Sequence, residues 1–298
     1  MIVAAVDLGT NTTRLLVGRV SDGRVEELHR ETRITRLGEG VDARRRLLPV
    51  PIARVRNALS DYRRTAESLE AERTLLVATS AVRDAENGEA FLGEIEWSYG
   101  FATQLLSGDE EAELTRRGVG ELGAATLLVD IGGGSTELGL DGFRTSLPLG
   151  SVRFTDRHGE DVDESIEAAR KLLPELQPAA AVGVAATITS LAALDLGLAE
   201  YDRPRVHGHV LTREGARTQV ERLAALPLEE RRRVPALEPE RAPVIVAGGA
   251  ILLAILDRYG LESIRVSEQD LLDGAALAAA ELPEPEEGAA PPGAYTCC

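Results

Sequence analysis

Two stretches that share one layout constrain the fold of this chain more than any other feature. They read VDLGTNTTR at residues 6–14 and VDIGGGSTE at residues 129–137. In each, an apolar, β-rich run ends in Asp-x-Gly, and polar turn residues separate it from a second strand-like run. The same order of predicted elements follows both stretches: a strand hairpin, a helix, a strand and a helix. The sequence therefore predicts an internal duplication.

The predicted elements place a domain boundary between the two copies. Strands are predicted at residues 2–6, 13–20, 24–30, 74–78, 104–106, 125–131, 136–140, 143–147, 181–185 and 263–266. Helices are predicted from Pro51 onward, at 109–118, 162–173, 187–194 and 271–280, and, after a glycine turn at the AGGA of 247–250, up to Tyr259. Residues 79–88 are predicted to form a polar loop that leads into another helix. We expect a domain at 1–122, a second at 123–282, and a disordered Pro- and Glu-rich tail at 283–298.

Composition limits the classes of function. The chain has 298 residues, which is long enough for two domains, each with its own core. Its formal net charge of −16 argues against general nucleic-acid binding, which needs a basic surface. It has no apolar run near the ~18 residues of a membrane span, and MIVAAVDLG at its start is predicted to be a strand rather than a signal peptide. Its two cysteines, Cys297 and Cys298, are adjacent and give no disulfide framework. We therefore expect a cytoplasmic protein with no membrane or nucleic-acid partner.

The glycines of the second stretch indicate an anion site. Glycine lets a ligand approach the backbone with no Cβ in the way, and the successive N–H groups of residues 132–134 can then face one concavity. Ser135 adds a hydroxyl donor. Asp130, at the strand end, has the oxygen atoms that a hard cation prefers, and Glu137 leaves the turn on the next strand. The alternative is a tight hairpin without a ligand, which the presence of two such loops disfavours.

The doubled Asp-x-Gly hairpin resembles that of the actin/Hsp70/sugar-kinase superfamily. Within it, the chain is similar to the exopolyphosphatase / guanosine pentaphosphate phosphatase (Ppx/GppA) family. The resemblance runs from about residue 2 to residue 280 and rests on seven motifs in the family's order: DLGTNTTRLLV, TRLGEGV, ATSAVRDAENG, LLSGDEEAEL, LVDIGGGSTEL, SLPLGSVR and AGGAILLAIL. It implies an α/β fold of two duplicated ribonuclease-H-like (actin-like ATPase) domains with a cleft between them. It also implies the short form of the family, without the additional C-terminal helical domain.

The resemblance implies attack of water on a terminal phosphoryl group, a reaction in which the protein mainly positions groups and neutralises charge. Glu111, directly before the alanine in SGDEEA, matches the family's catalytic base. Three consecutive acids at a helix start also complement the helix dipole, which suits the two preceding acids, and Glu110 is the competing base. Arg83 is implied to clamp phosphate, since a guanidinium holds two oxygens at once. Its alternative role is an ion pair with Asp84 or Glu86.

The two glycine loops are implied to hold neighbouring phosphoryl groups. The phosphate-binding residues that the resemblance implies are Gly9, Thr10, Asn11, Thr12, Arg83, Gly132, Gly133, Gly134, Ser135 and Arg153. The family has serine at both threonine positions, so the hydroxyls are kept with an added methyl. The implied cofactor is Mg²⁺, with a monovalent cation such as K⁺ as a further candidate. Its expected ligands are Asp130 and Glu137, with Asp7 acting through water.

One departure from the family bears on the substrate. Ala185-Ala186-Thr187 stands where the family usually has Gly-Gly-Thr, in a region that approaches the nucleotide in the superfamily's nucleotide users. The added methyl groups favour plain polyphosphate. We therefore expect a homodimeric exopolyphosphatase that removes terminal phosphate from inorganic polyphosphate. The alternatives are a guanosine pentaphosphate 5′-phosphatase and a non-catalytic regulator that binds polyphosphate or alarmone.

An acidic chain that binds a polyanion needs basic residues gathered locally. The candidates are Arg14, Arg83, Arg153, Arg157, Arg203, Arg205, His207 and Arg213. Two histidines, His207 and His209, also have the His-x-His spacing of a metal site. The favoured interpretation is instead that they are exposed side chains on one face of a strand.

Overall fold

The computed structural model describes residues 1–283, and the chain divides into two compact units. Among the described residues, the first unit comprises Met1–Val119 and 271–283, and the second comprises Gly120–Asp270. Apart from its first residue, the predicted tail at 283–298 lies outside the described residues. No helix in the described part of the chain is long and apolar enough to cross a membrane.

The first unit is built on a five-stranded mixed sheet. Its strands are β1 (Ile2–Leu8), β2 (Thr12–Ser21), β3 (Arg24–Ile34), β4 (Arg73–Ala78) and β5 (Ala102–Leu105). Its helices up to residue 119 are α1 (Val41–Arg44), α2 (Pro49–Ser68), α3 (Ser80–Arg83), α4 (Gly88–Tyr99) and α5 (Gly108–Val119). The strand order is β3-β2-β1-β4-β5. The central strand β1 pairs antiparallel with β2 and parallel with β4, which explains its continuous apolar run.

The second unit is built on a six-stranded mixed sheet. Its strands are β6 (Thr126–Ile131), β7 (Thr136–Leu140), β8 (Phe143–Leu147), β9 (Ala180–Val184), β10 (Val210–Thr212) and β11 (Ser263–Val266). Its helices are α6 (Ser151–His158), α7 (Val162–Arg170), α8 (Ala185–Asp195), α9 (Arg203–Val206), α10 (Arg213–Ala224), α11 (Leu228–Arg231) and α12 (Ile245–Arg258). The last helix of the described residues is α13 (Leu271–Glu281).

The two sheets repeat one topology. The strand order of the second is β10-β11-β9-β6-β7-β8, so β8-β7-β6-β9-β11 corresponds to β3-β2-β1-β4-β5 of the first. In both, an antiparallel meander of three strands leads into two parallel strands. The predicted internal duplication and the α/β class are thereby confirmed.

The last helix, α13, belongs to the first unit. Leu272 packs with Val3 of β1 in one buried apolar cluster. The helix also crosses α5 closely, because a Cβ built on Gly274 would lie 1.8 Å from the carbonyl oxygen of Leu114. The sequence assigned residues 123–282 to one domain, whereas the structure groups α13 with the first unit because its apolar face covers β1.

Several helices differ from the predicted elements. The predicted loop at 79–88 contains the helical turn α3, and the predicted elements do not include α6 and α10. Helix α12 begins at Ile245 and continues through Gly248, although the sequence predicts a glycine turn before the helix. This glycine is needed for packing, because a Cβ there would lie 2.8 Å from Cγ2 of Thr187. The short α6 buries only Ser151 and Phe154, which is too few positions to give a helical period.

The crossing of α13 and α5 gives a stability prediction. Gly274→Ala is expected to lower the free energy of unfolding by about 1–3 kcal/mol, because the new methyl overlaps the Leu114 carbonyl. Gly93→Ala, in α4, is the matched control: no atom lies within 4 Å of its Cβ position, and helix propensity predicts a gain of about 0.5–1 kcal/mol. Urea unfolding followed by circular dichroism measures both. Equal effects of the two substitutions would contradict the close crossing.

Candidate functional site

The two Asp-x-Gly stretches form hairpins that close in the same way. The N–H group of Gly9 donates to the carbonyl of Thr12 at 2.9 Å, and that of Gly132 donates to the carbonyl of Ser135 at 3.0 Å. The first loop connects β1 to β2, and the second connects β6 to β7. The ladders have the same antiparallel register and the loops have equal length. The two hairpins therefore correspond residue for residue.

The carbonyl groups of the first loop are held by the segment that follows β3. The carbonyl oxygen of Thr10 accepts the N–H of Gly38 at 2.8 Å, and that of Asn11 accepts the N–H groups of Thr35 and Arg36 at 3.1 and 2.9 Å. A Cβ on Gly38 would lie 2.2 Å from Cγ2 of Thr10, so glycine is required for this approach. The motif TRLGEGV therefore supports the loop through its carbonyl side.

The second loop is held in the same manner by the start of α6. The carbonyl of Gly133 accepts the N–H groups of Val152 and Arg153 at 2.9 and 3.1 Å. The carbonyl of Gly134 accepts a bond from Nε of Arg153 at 2.7 Å. A Cβ on Gly150 would lie 2.3 Å from the carbonyl oxygen of Gly133. The motif SLPLGSVR thus has the supporting role that TRLGEGV has in the first unit.

This support leaves the amide side of each loop available. Within residues 1–283, the N–H groups of Thr10, Asn11, Gly133 and Gly134 have no backbone acceptor. Successive N–H groups without acceptors, on a loop whose carbonyls are engaged, form the kind of concavity that binds an anion. Each unit therefore brings its predicted loop residues together, at 9–12 in the first unit and at 132–135 in the second.

The hairpins differ at the residue opposite the aspartate. Asp7 faces Arg14 across the β1–β2 ladder, whereas Asp130 faces Glu137 across the β6–β7 ladder. Nε and Nη2 of Arg14 lie 2.9 and 2.8 Å from Oδ2 of Asp7. Both acids of the second pair are buried, and Oε1 of Glu137 accepts a bond from the hydroxyl of Ser146 at 2.6 Å. The first hairpin thus supplies a cation for its own aspartate, and the second brings two carboxylates together.

The pair formed by Asp130 and Glu137 suits a hard divalent cation. Directly opposed residues of an antiparallel ladder have Cβ atoms about 5 Å apart on one face, and opposed like charges repel. A cation between them would reduce that repulsion. Mg²⁺ takes one or two carboxylates and keeps several waters, so two acids are a sufficient protein contribution. No group of three or more His, Cys, Asp or Glu that could hold a metal ion occurs in the described part of the chain.

Glu111 lies in the first turn of α5 and contacts Arg83. Its side chain is buried, with the residue only 6% exposed. Nη1 of Arg83 lies 3.2 Å from Oε2 of Glu111 and 2.6 Å from the carbonyl oxygen of Leu106. Arg83 comes from the end of α3, which follows β4 directly. Two residues that the sequence suggested separately, a base and a phosphate clamp, are therefore in direct contact.

Glu110 has a different environment from its neighbour. Its Oε2 accepts bonds from the N–H and the hydroxyl of Ser107 at 2.8 and 2.7 Å, and the Ser107 hydroxyl accepts the N–H of Glu110 at 3.3 Å. This reciprocal pair is a capping box, and the bonds from Ser107 lower the pKa of Glu110. Glu110 thus stabilises the start of α5. The Ser-x-x-Glu spacing at 107–110 is a signal that sequence analysis can use.

The two histidines do not lie on a strand. His207 and His209 precede β10, so the prediction of alternating positions on one strand face is wrong. Nδ1 of His207 accepts the N–H of Glu268 at 3.1 Å, and Nε2 of His209 lies 2.7 Å from Oδ2 of Asp195. The two rings therefore have separate partners.

Together, these features define a class of protein with two α/β units of one topology, each carrying a hairpin loop with N–H groups that have no backbone acceptor within residues 1–283. The Ppx/GppA phosphatase family model matches residues 16–281, and the chain belongs to that family. It is 39% identical to Exopolyphosphatase 2 of Mycobacterium tuberculosis, over 93% of this chain and 98% of the relative. It is 31% identical to the guanosine-5′-triphosphate,3′-diphosphate pyrophosphatase of Vibrio atlanticus, over 92% of this chain and 58% of that protein. The crystal structure of an exopolyphosphatase-like protein matches with a TM-score of 0.85 at 32% identity, covering 93% of this chain and 98% of that one.

The start of α8 gives a second stability prediction. Ala185 has a φ of +64°, a left-handed conformation that costs an L-residue about 1–2 kcal/mol. Ala185→Gly is therefore expected to raise the free energy of unfolding by about 0.5 kcal/mol after the entropy of glycine is subtracted. Ala186→Gly, one residue further along the helix, is expected to lower it by about 0.5–1 kcal/mol. Chemical denaturation of both variants measures the difference, and a loss for Ala185→Gly as large as that for Ala186→Gly would be inconsistent with the strain.

Proposed function

We propose that this chain is an exopolyphosphatase, which releases terminal phosphate from inorganic polyphosphate. The observation that carries the proposal is the matched pair of hairpin loops, one in each unit, whose carbonyls are engaged and whose amides have no backbone acceptor within the described residues. Backbone N–H groups fixed in this way form the kind of anion-binding concavity that suits a phosphate group. The likeness to Exopolyphosphatase 2 along nearly its whole length supports polyphosphate as the substrate.

In this proposal Glu111 acts on the attacking water. Its carboxylate orients a water molecule and accepts its proton while the water oxygen bonds to the terminal phosphorus. The bond from that phosphorus to the bridging oxygen breaks, and the products are orthophosphate and a polymer one unit shorter. Arg83 has two roles here: it holds the Glu111 carboxylate at 3.2 Å, and its remaining N–H groups bind phosphate oxygens.

The loops and a cation complete the proposed machinery. The amides and hydroxyls of residues 9–12 hold one phosphoryl group, and those of 132–135 hold another, with Arg153 fixing the second loop through Gly134. Asp130 and Glu137 would hold Mg²⁺, and Asp7, already bonded to Arg14, contributes through water. When bound, Mg²⁺ neutralises charge on the phosphoryl oxygens. We also propose that K⁺ acts as a further ion. The protein is proposed to be a homodimer and to be cytoplasmic.

A guanosine pentaphosphate 5′-phosphatase is the second candidate. It is favoured by the likeness to the Vibrio protein, whose name specifies a guanosine substrate. It is disfavoured by the lower identity to that protein. It is also disfavoured by Ala185 and Ala186, because their methyl groups leave less room for a nucleotide at the start of α8. A non-catalytic regulator is disfavoured by the buried acid Glu111 and its arginine, since burial of a charged pair stabilises a fold little in itself.

Orthophosphate release tests the function and the base. With Mg²⁺ and polyphosphate, Glu111→Gln is expected to lower kcat by about 10²–10⁴-fold, because the amide accepts no proton. Glu110→Gln is the matched control and is expected to keep kcat within about threefold, since its carboxylate only caps α5. A larger loss from Glu110→Gln than from Glu111→Gln would reverse the assignment.

The same assay decides the substrate. Polyphosphate, guanosine pentaphosphate and ATP are supplied in parallel to the unaltered protein. The proposal expects rapid release from polyphosphate. Preferred release from the guanosine compound would establish the second candidate, and binding without release from any of the three would establish the regulator.

The assignment of the cation site gives a separate prediction. Glu137→Gln is expected to raise the Mg²⁺ concentration for half-maximal activity about tenfold, because one of two opposed carboxylates loses its charge. Asp7→Asn is the comparison and is expected to shift that concentration less, because Asp7 is already neutralised by Arg14. Titration of activity with Mg²⁺ measures both. A larger shift for Asp7→Asn than for Glu137→Gln would instead assign the cation site to the first hairpin.

A further inference from the structure

Ser80, the first residue of α3, lies beside the first hairpin loop but has no role in the mechanism above. The loop begins directly after Leu8, whose carbonyl oxygen accepts the N–H of Thr79 at 3.4 Å. Strands β1 and β4 are parallel, so their carboxyl ends meet at one edge of the sheet, and Ser80 lies at the edge from which residues 9–12 leave. Ser80 also shares a helix face with Arg83, three residues further on.

The duplication places Thr187 at the corresponding position of the second unit. Ser80 is the third residue after the one that faces Asp7 across the β1–β4 ladder. Thr187 is the third residue after the one that faces Asp130 across the β6–β9 ladder. Both residues lie in the first turn of the helix that follows the parallel strand, α3 in one unit and α8 in the other. Each unit therefore has a hydroxyl group at the same position relative to its aspartate and its loop.

Both hydroxyl groups are buried and have no partner among the described residues. Ser80 is 3% exposed and Thr187 is 6% exposed, and neither side-chain oxygen makes a hydrogen bond in the part of the chain that the structure describes. Folded proteins pair most of their buried hydroxyls, as Thr13 and Thr35 do with each other at 2.9 Å. The hydroxyl oxygen of Ser165 is also without a partner, but it is fully closed off from solvent, which the other two are not. A ligand at the loops can therefore reach them.

We propose that Ser80 and Thr187 are phosphate-binding residues, each of which donates its hydroxyl to an oxygen of the phosphoryl group at the loop of its own unit. The donors of each loop bring phosphate to the same sheet edge, and a hydroxyl bonds more strongly to a charged oxygen than to a neutral one. Because Ser80 and Arg83 share a helix face, they hold the same phosphoryl group. This inference rests on the proposed function for the identity of the ligand.

Ligand affinity and stability are measured together, because they distinguish a binding role from a structural one. Ser80→Ala and Thr187→Val each remove one hydroxyl, and valine keeps the shape of threonine. Each is expected to weaken tripolyphosphate binding about tenfold in isothermal titration calorimetry, with EDTA present so that turnover does not interfere. Each is also expected to leave the Tm of the ligand-free protein unchanged or higher, because a buried hydroxyl without a partner does not stabilise the fold.

Two further variants are the controls. Thr187→Ser keeps the hydroxyl and is expected to keep the affinity within about twofold of that of the unaltered protein. Ser165→Ala removes a buried hydroxyl that solvent does not reach, in the same unit as Thr187, and is expected to leave the affinity unchanged.

A lower Tm of Ser80→Ala or Thr187→Val would assign that hydroxyl a structural role and overturn the proposal. Equal weakening by Ser165→Ala or Thr187→Ser, or no tripolyphosphate binding by the unaltered protein, would also overturn it. Orthophosphate release by the unaltered protein in Mg²⁺ is measured separately. No release, with binding that still depends on both hydroxyls, would remove the proposed function and leave the binding role standing. Release, with affinity unchanged in both variants, would do the reverse.

Discussion

Hydrogen bonds to the carbonyl oxygens of the two hairpin loops determine what those loops can bind. A loop has acceptors as well as donors, and free carbonyl oxygens would repel a phosphate group. In both units the segment after the third strand donates its own N–H groups to these carbonyls, so that the donors of the loop remain. The approach needs a glycine, Gly38 in one unit and Gly150 in the other. The order of the meander serves this contact, because the third strand returns the chain beside the loop.

The duplication also shows how two copies of one hairpin came to differ chemically. The register is the same, but the residue opposite the aspartate is Arg14 in one copy and Glu137 in the other. A single position therefore changes a self-neutralised acid into a pair of acids. The first unit additionally carries Glu111 in contact with Arg83. In the proposed function, the first unit therefore positions the attacking water and the second unit binds the cation.

Local signals explain what could be predicted. The hairpin turns at Asp22-Gly23 and Asp141-Gly142 have positive φ at both residues. The Asp-Gly dipeptide in the sequence predicts this type of turn. The duplication and both loops follow from equally local patterns. The contact between Arg83 and Glu111 does not, because it joins α3 to α5, which are separated in sequence by helix α4 and strand β5. The resemblance assigns roles to Arg83 and Glu111 separately, and only the folded structure shows that the two side chains are in contact.

Non-local packing explains what could not be predicted. Gly248 resembles a helix breaker when only its neighbours in sequence are considered, and its reason for being glycine is the distant side chain of Thr187. The periodicity of α13 shows that one face is apolar, but it does not say which sheet that face covers. The helical period of α10, by contrast, is present in the sequence at Ala216, Val220 and Leu223, all of which are buried.

The return of α13 to the first unit has a consequence for biosynthesis. The first sheet is translated before the second unit, yet the face of β1 that carries Val3 is covered by Leu272, which is translated only after the whole second unit. The second unit is one continuous segment, Gly120–Asp270, and has all its own strands before α13 is made. The nascent chain therefore exposes an apolar sheet face throughout the synthesis of its second half. A chaperone that binds such surfaces has its longest opportunity here, and a stalled or truncated chain would keep that face uncovered.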